Sequence, residues 1–218
     1  MKWKLNAWKQ AFYSILFTYE RAIIIIASLF IALAAYAQTQ SQTKPESPHL
    51  SFKGVPIDGT LRAYTDAMKS AGFTYMTTQD GTALLKGDFA AYKGCIIGVS
   101  TLKKMDLVST IGVIFPEQDT WSGLYSNYTF LKDMLTKKYG KPSDEVERFD
   151  SYSEPDDDNS RMHELKMDRC KYYTIFSTPK GDIELSLQHN GFSSCFVLLK
   201  YYDKINTNAV QEDAMNDL

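Results

Sequence analysis

The stretch "KGDIELSLQHNGFSSCFVLLKYY" (residues 180–202) lies without a gap over an earlier one, "KGCIIGVSTLKKMDLVSTIGVIF" (residues 93–115). Each opens on Lys-Gly-x-Ile, alternates apolar and polar residues, breaks at a polar point and resumes as a second apolar run. Period-two alternation on both sides of a short break is the pattern of a β-hairpin. A hairpin written twice implies a unit written twice.

What precedes each hairpin repeats as well. In "IDGTLRAYTDAMKSAGFTYM", Asp58 or Thr60 can cap a helix over about 60–71, Leu61, Tyr64, Ala67 and Met68 fall at helical spacing, and Gly72 supplies the left-handed stop with Phe73 packing back. Strand candidates follow at "FTYMTT", "ALLKGDFA", "KGCIIGVSTL" and "DLVSTIGVIF". In "DTWSGLYSNYTFLKDMLTKKYGKP", Trp121, Leu124, Tyr125, Tyr128, Leu131 and Leu135 form one stripe, capped by Asp119 or Thr120 and ended by Gly140 with Pro142 beyond. Strand candidates follow again at "EVERFD", "CKYYTIFST", "GDIELSLQ" and "SCFVLLKYY", the first two separated by a polar stretch that reads as a loop with at most one helical turn. The fold class is therefore α+β: two tandem α-β-β-β-β units with an antiparallel sheet and the helices packed on one face. A single unit is too small for a substantial core, so residues 50–205 are expected to form one composite domain, followed by a polar, loosely held tail at 206–218.

The first 49 residues differ in kind. Lys2, Lys4, Lys9 and Arg21 precede "AIIIIASLFIALAAYA", a 16-residue run at 22–37 that is apolar except for Ser28, after which "QTQSQTKPESPH" turns polar. That layout is a secretory signal peptide with small residues at Ala35 and Ala37, and cleavage is expected between Ala37 and Gln38, leaving 38–49 as a linker. The alternative is a retained membrane anchor at 22–37, although a bilayer span takes about 20 apolar residues. The mature chain keeps 20 basic against 25 acidic residues. With no basic stripe either, nucleic acid is set aside as a partner.

The pieces "GVPIDGT", "AGFTY", "KGDF", "KKYGKP" and "LKYYDKIN" resemble those of uncharacterised exported proteins of gut bacteria. The tandem order of a helix and four strands is also similar to the β-lactamase inhibitor protein architecture. That similarity implies a sheet with helices on one face and a protein-binding surface on the other.

The hairpin residues give this surface a first location. Taking Asn190-Gly191 as a two-residue turn sets Ile183 opposite Leu198 and Leu185 opposite Phe196. Cys195, Val197, Leu199 and Tyr201 then share the face of Glu184, Ser186 and Gln188. In the first hairpin Ile96, Leu102, Ile111 and Val113 take one face and Ile97, Val99 and Val108 the other. A strand apolar on both sides is either covered twice or exposes a patch. Ile97, Val99, Val108, Val197 and Tyr201 are accordingly the expected lining of an open, ligand-facing surface. Coverage by the linker, the tail or the second unit is the alternative.

Catalytic chemistry has little foothold. His49, His163 and His189 show no metal-binding spacing, and "HELKMDRC" lacks a paired Cys-x-x-Cys or His-Glu-x-x-His. Starting an EF-hand at Asp156 puts Arg161 and Met167 where Gly and Glu belong. Cys95, Cys170 and Cys195 are odd in number and sit in strand-like runs, so they read as buried thiols. The expectation is an exported, periplasmic or extracellular, non-catalytic module that binds a protein or peptide, with no cofactor and no metal. The alternatives are an envelope hydrolase around His163, Asp168 and Cys170, or a membrane-anchored structural protein.

Overall fold

The two helices that open the meanders begin where a threonine hydroxyl takes over an orphan amide. In the computed structural model, which describes residues 47–101, 105–150, 154–191 and 193–215, α1 spans Leu61–Ser70 and α2 spans Trp121–Tyr139. Thr60 Oγ1 accepts from the Ala63 amide and Thr120 Oγ1 from the Gly123 amide. At the end of α1, Gly72 takes φ 97°, and the amides of Gly72 and Phe73 donate to the carbonyls of Lys69 and Met68. This is a Schellman closure, and it drives Phe73 into the core.

Ser51–Phe52 (β1) and Val55–Pro56 (β2) form a small hairpin ahead of α1. The first meander then runs through Thr74–Gln79 (β3), Thr82–Phe89 (β4), Tyr92–Thr101 (β5) and Val108–Ile114 (β6). After α2 come Asp144–Phe149 (β7), the helix Asp158–Lys166 (α3), Cys170–Thr178 (β8), Gly181–Asn190 (β9), Ser194–Asp203 (β10) and the helix Lys204–Met215 (α4). The eight longer strands make one antiparallel sheet in the order β3-β4-β5-β6-β10-β9-β8-β7. Two four-stranded meanders are thus joined along their last strands, β6 against β10.

One face of this sheet is the core. Leu85, Ile97, Val113, Leu199 and Leu185 follow one another across five strands in register, and each is at most 1 % exposed. The helix α1 packs over β3 to β5, and α2 packs over β8 to β10. The stripe read from sequence in α2 is the buried one: Trp121, Leu124, Tyr128, Leu131 and Leu135 face inward, whereas Tyr125 is exposed. Phe52 of β1 seals the near end, with its ring 5.0 Å from Phe89 and 5.5 Å from Tyr201.

Three local expectations are corrected. The loop between β9 and β10 has three residues, 191–193, because Asn190 pairs with Ser194. Ile183 therefore faces Tyr201 and Leu185 faces Leu199. The stretch read as a loop holds α3, nine residues long. Its N-cap is Asp157, whose Oδ1 accepts from the Ser160 amide at 2.8 Å, and Asp158 Oδ2 accepts from the Ser122 hydroxyl of α2 at 2.6 Å. The tail is helical as α4 and is fastened: Asn206 is 3 % exposed and its Nδ2 donates to the carbonyls of Ile57 at 3.0 Å and Val108 at 2.9 Å. The buried Asp203 carboxylate accepts from the amides of Leu50 and Asn206 and meets His49 Nδ1 at 3.0 Å. The expected signal peptide, its alternative as an anchor and residues 38–46 of the linker lie outside the described residues. No described helix is long and apolar enough to cross a membrane.

Candidate functional site

Register decides which side chains a sheet shows, because a shift by one residue moves every side chain to the other face. Ile97, Val99 and Val108 are fully buried, Val197 is 1 % exposed and Tyr201 4 %. All five belong to the core cluster, so none can touch a ligand without the protein opening. Their parity is the reverse of the expected one. The residues between them make the other face.

On that face a row runs Ile96, Ile114, Leu198, Ser186, Tyr173 across five strands. A second row runs Leu84, Gly98, Gly112, Lys200, Glu184. Phe196 lies on the same face, opposite Gln188. Leu84, Ile96, Ile114, Phe196 and Leu198 are half-buried, and none of them packs against the core cluster. The two glycines sit side by side in the middle of this apolar area. A methyl built on Gly98 would lie 3.8 Å from Leu84 Cδ2, and one on Gly112 would lie 3.9 Å from Leu198 Cδ1. Both distances are ordinary contacts, so the pair leaves a shallow depression that a side chain could fill. Strand-interior glycines of this kind mark places where another group comes close.

The margin toward β8 is polar and aromatic. Tyr202 donates its hydroxyl to Glu184 Oε2 at 3.3 Å, and the Lys200 ammonium stands 6.0 Å from the Tyr202 ring. Burial, reinforced by Glu184, holds the Tyr202 phenol protonated far above its usual range. Tyr173 donates to Asp144 Oδ2 at 3.1 Å. The face thus has an apolar centre and a polar, aromatic margin. The glycine signal was available in sequence, since "IIGVS" and "TIGVI" each place one glycine inside a strand. Only the register sets the two against each other.

The residues of the hydrolase alternative are dispersed in role. His163 is exposed on α3. Asp168, in a left-handed turn at φ 57°, engages a different histidine, with its Oδ1 3.0 Å from His189 Nε2. His189 Nδ1 donates to the Gly191 carbonyl at 2.9 Å. The Asp168 carboxylate, followed by the Gly191 carbonyl, raises the His189 pKa. Burial pushes the Cys170 thiol up to about 12, which keeps it from being a thiolate nucleophile at neutral pH. All three cysteines are free. Comparison of the chain with protein-family models, with curated proteins and with solved structures finds no match.

Proposed function

We propose that this chain is an exported, non-catalytic binding module that recognises a protein or peptide through the helix-free face of its sheet. The observation that supports the reading is the half-buried row Ile96, Ile114 and Leu198 beside the Gly98–Gly112 depression, which among the described residues lies outside the core cluster. Apolar side chains gathered into one patch, rather than scattered, mark interaction sites on soluble proteins. The export half of the reading rests on the basic, apolar and small-residue order of residues 1–37.

The test is retention of a partner from cell-envelope extract by the immobilised mature chain and by Ile114→Lys and Leu198→Lys. A lysine in the centre of such a patch removes apolar contact and leaves a charge to desolvate, a loss of about 2 kcal/mol or more. Retention is expected to fall at least tenfold while the melting temperature stays within about 2 °C, because both positions lie outside the core. Equal retention by the variants, or none by the parent chain, would refute the reading. N-terminal sequencing of the exported protein checks the address, with Gln38 expected as the first residue.

A further inference from the structure

The two edges of the sheet differ in chemistry. In six residues β7 carries Asp144, Glu145, Glu147 and Arg148. The other edge, β3, reads Thr-Tyr-Met-Thr-Thr-Gln, has no charge, and is exposed along its whole length. An edge strand offers unpaired amides and carbonyls, and charged side chains are the usual device that keeps other chains from pairing with it. β7 has that guard and β3 lacks it.

β3 also has a shaped neighbourhood. It bulges at Met76, since Tyr75 pairs with Leu85 while Thr77 pairs with Leu84. The extra residue puts Tyr75 and Thr78, three positions apart, on the same side of the strand, toward α1, where their hydroxyls join at 3.1 Å. Without the bulge they would point to opposite faces. Between them and α1 lies an open cleft of about 490 Å³. In its wall Lys69 is held by Asp66 at 2.9 Å, and Asp106 Oδ1 accepts from the Leu61 amide at 2.8 Å. Arg62 lines the same cleft, near enough to Asp66 to help lower the pKa of that carboxyl, and among the described residues no hydrogen bond or ion pair engages its guanidinium. The Thr65 hydroxyl, on a residue 6 % exposed, also has no partner.

We propose that β3 is a strand-addition site: an extended segment of a partner protein pairs with its free edge and sends one acidic side chain into the cleft to meet Arg62. Main-chain hydrogen bonds supply the affinity in this mode, and pockets for alternate side chains supply the specificity. A strand added at the usual spacing of about 4.8 Å points every second side chain toward the helix side, where the cleft lies. The occupant is an acidic segment of another protein, not β3 of a second copy, because β3 brings no carboxylate to Arg62. The edge is a different surface from the helix-free face, so the two proposals stand or fall separately.

The test is selection of a displayed library of random ten-residue peptides on the immobilised protein. The expected result is enrichment of peptides with Asp or Glu at one fixed position. Their binding weakens at least tenfold with Met76→Pro, which blocks the edge at the unpaired bulge residue, and with Arg62→Glu. A peptide with Lys in place of the acid recovers binding to Arg62→Glu, and Leu198→Lys leaves binding unchanged. Melting curves show whether Met76→Pro stays folded, and the exposed Arg62→Glu carries the test if it does not. No enrichment, peptides indifferent to both variants, peptides lost with Leu198→Lys, or self-association in sedimentation that Met76→Pro abolishes would each overturn the proposal.

Discussion

Filling the depression at Gly98 and Gly112 separates stability from recognition. Neither glycine has a positive φ, so alanine is conformationally acceptable at both. The added methyls would meet their nearest neighbours at 3.7 Å or more, so the strands need not move. Alanine in place of a strand-interior glycine removes unfolded-state freedom worth about 0.5–1 kcal/mol per site. The double variant is thus expected to be more stable by about 1–2 kcal/mol. For a chain of this length that raises the melting temperature by roughly 2–8 °C. A partner seated in the depression meets two methyls where it had room, and overpacking of this kind costs about 1–3 kcal/mol. That corresponds to an affinity loss of about 5- to 150-fold. Scanning calorimetry and the retention assay, run on the same preparation, read the two effects. A double variant that melts lower would show that the glycines serve the backbone. One that melts higher and still retains its partner fully would show that the depression is not a contact.

Asn206→Ala removes donors to the carbonyls of Ile57 and Val108 inside the protein. Buried acceptors left unmet cost about 2–3 kcal/mol in all, so the melting temperature is expected to drop by roughly 4–12 °C, whereas a loosely held tail would leave it unchanged. Burial raises the pKa of Cys95, Cys170 and Cys195. None should react with an aromatic disulfide reagent at pH 8 until denaturant is added, and rapid native labelling of Cys170 would revive the nucleophile reading. Because its pKa is raised when folded, protonated His189 contributes stability that is complete below the ordinary histidine value of about 6.5 and fades as pH rises through the folded value. Asp168→Asn keeps the left-handed turn and removes the charge. It should lower the melting temperature at pH 5.5 and have little effect at pH 8.5, and an equal effect at both would refute the linkage.

Features decided within a few residues were legible in the sequence. Asp58 or Thr60 with Gly72, and Asp119 or Thr120 with Gly140, mark helix ends through local hydrogen bonds and φ, and the structure settles the caps on Thr60 and Thr120. The eight strands were legible for the same reason, being runs with a period. Register was not, because it depends on the parity of a loop. Asn190-Gly191 suits a two-residue turn, and one more residue in the loop moves Val197 and Tyr201 from a surface to the core. Val197 and Tyr201 were misplaced for that reason, and Ile97 and Val99 because β5 pairs them with Val113 and Ile111, which puts all four on the core face. α4 was missed for another. Its anchor, Asn206, is polar, and its partners Ile57 and Val108 lie 149 and 98 residues away, where no local pattern reaches.

The seam between the meanders governs how the chain can be made. The first half ends on β6, Val-Ser-Thr-Ile-Gly-Val-Ile, with no charge in it. Its outer side stays raw until β10, 80 residues and more further along the chain, zips onto it. Until then the growing polypeptide carries an adhesive margin that β10 closes. Shortened or stalled products lacking residues 194–203 should therefore clump or be degraded, rather than survive as a half-sized protein.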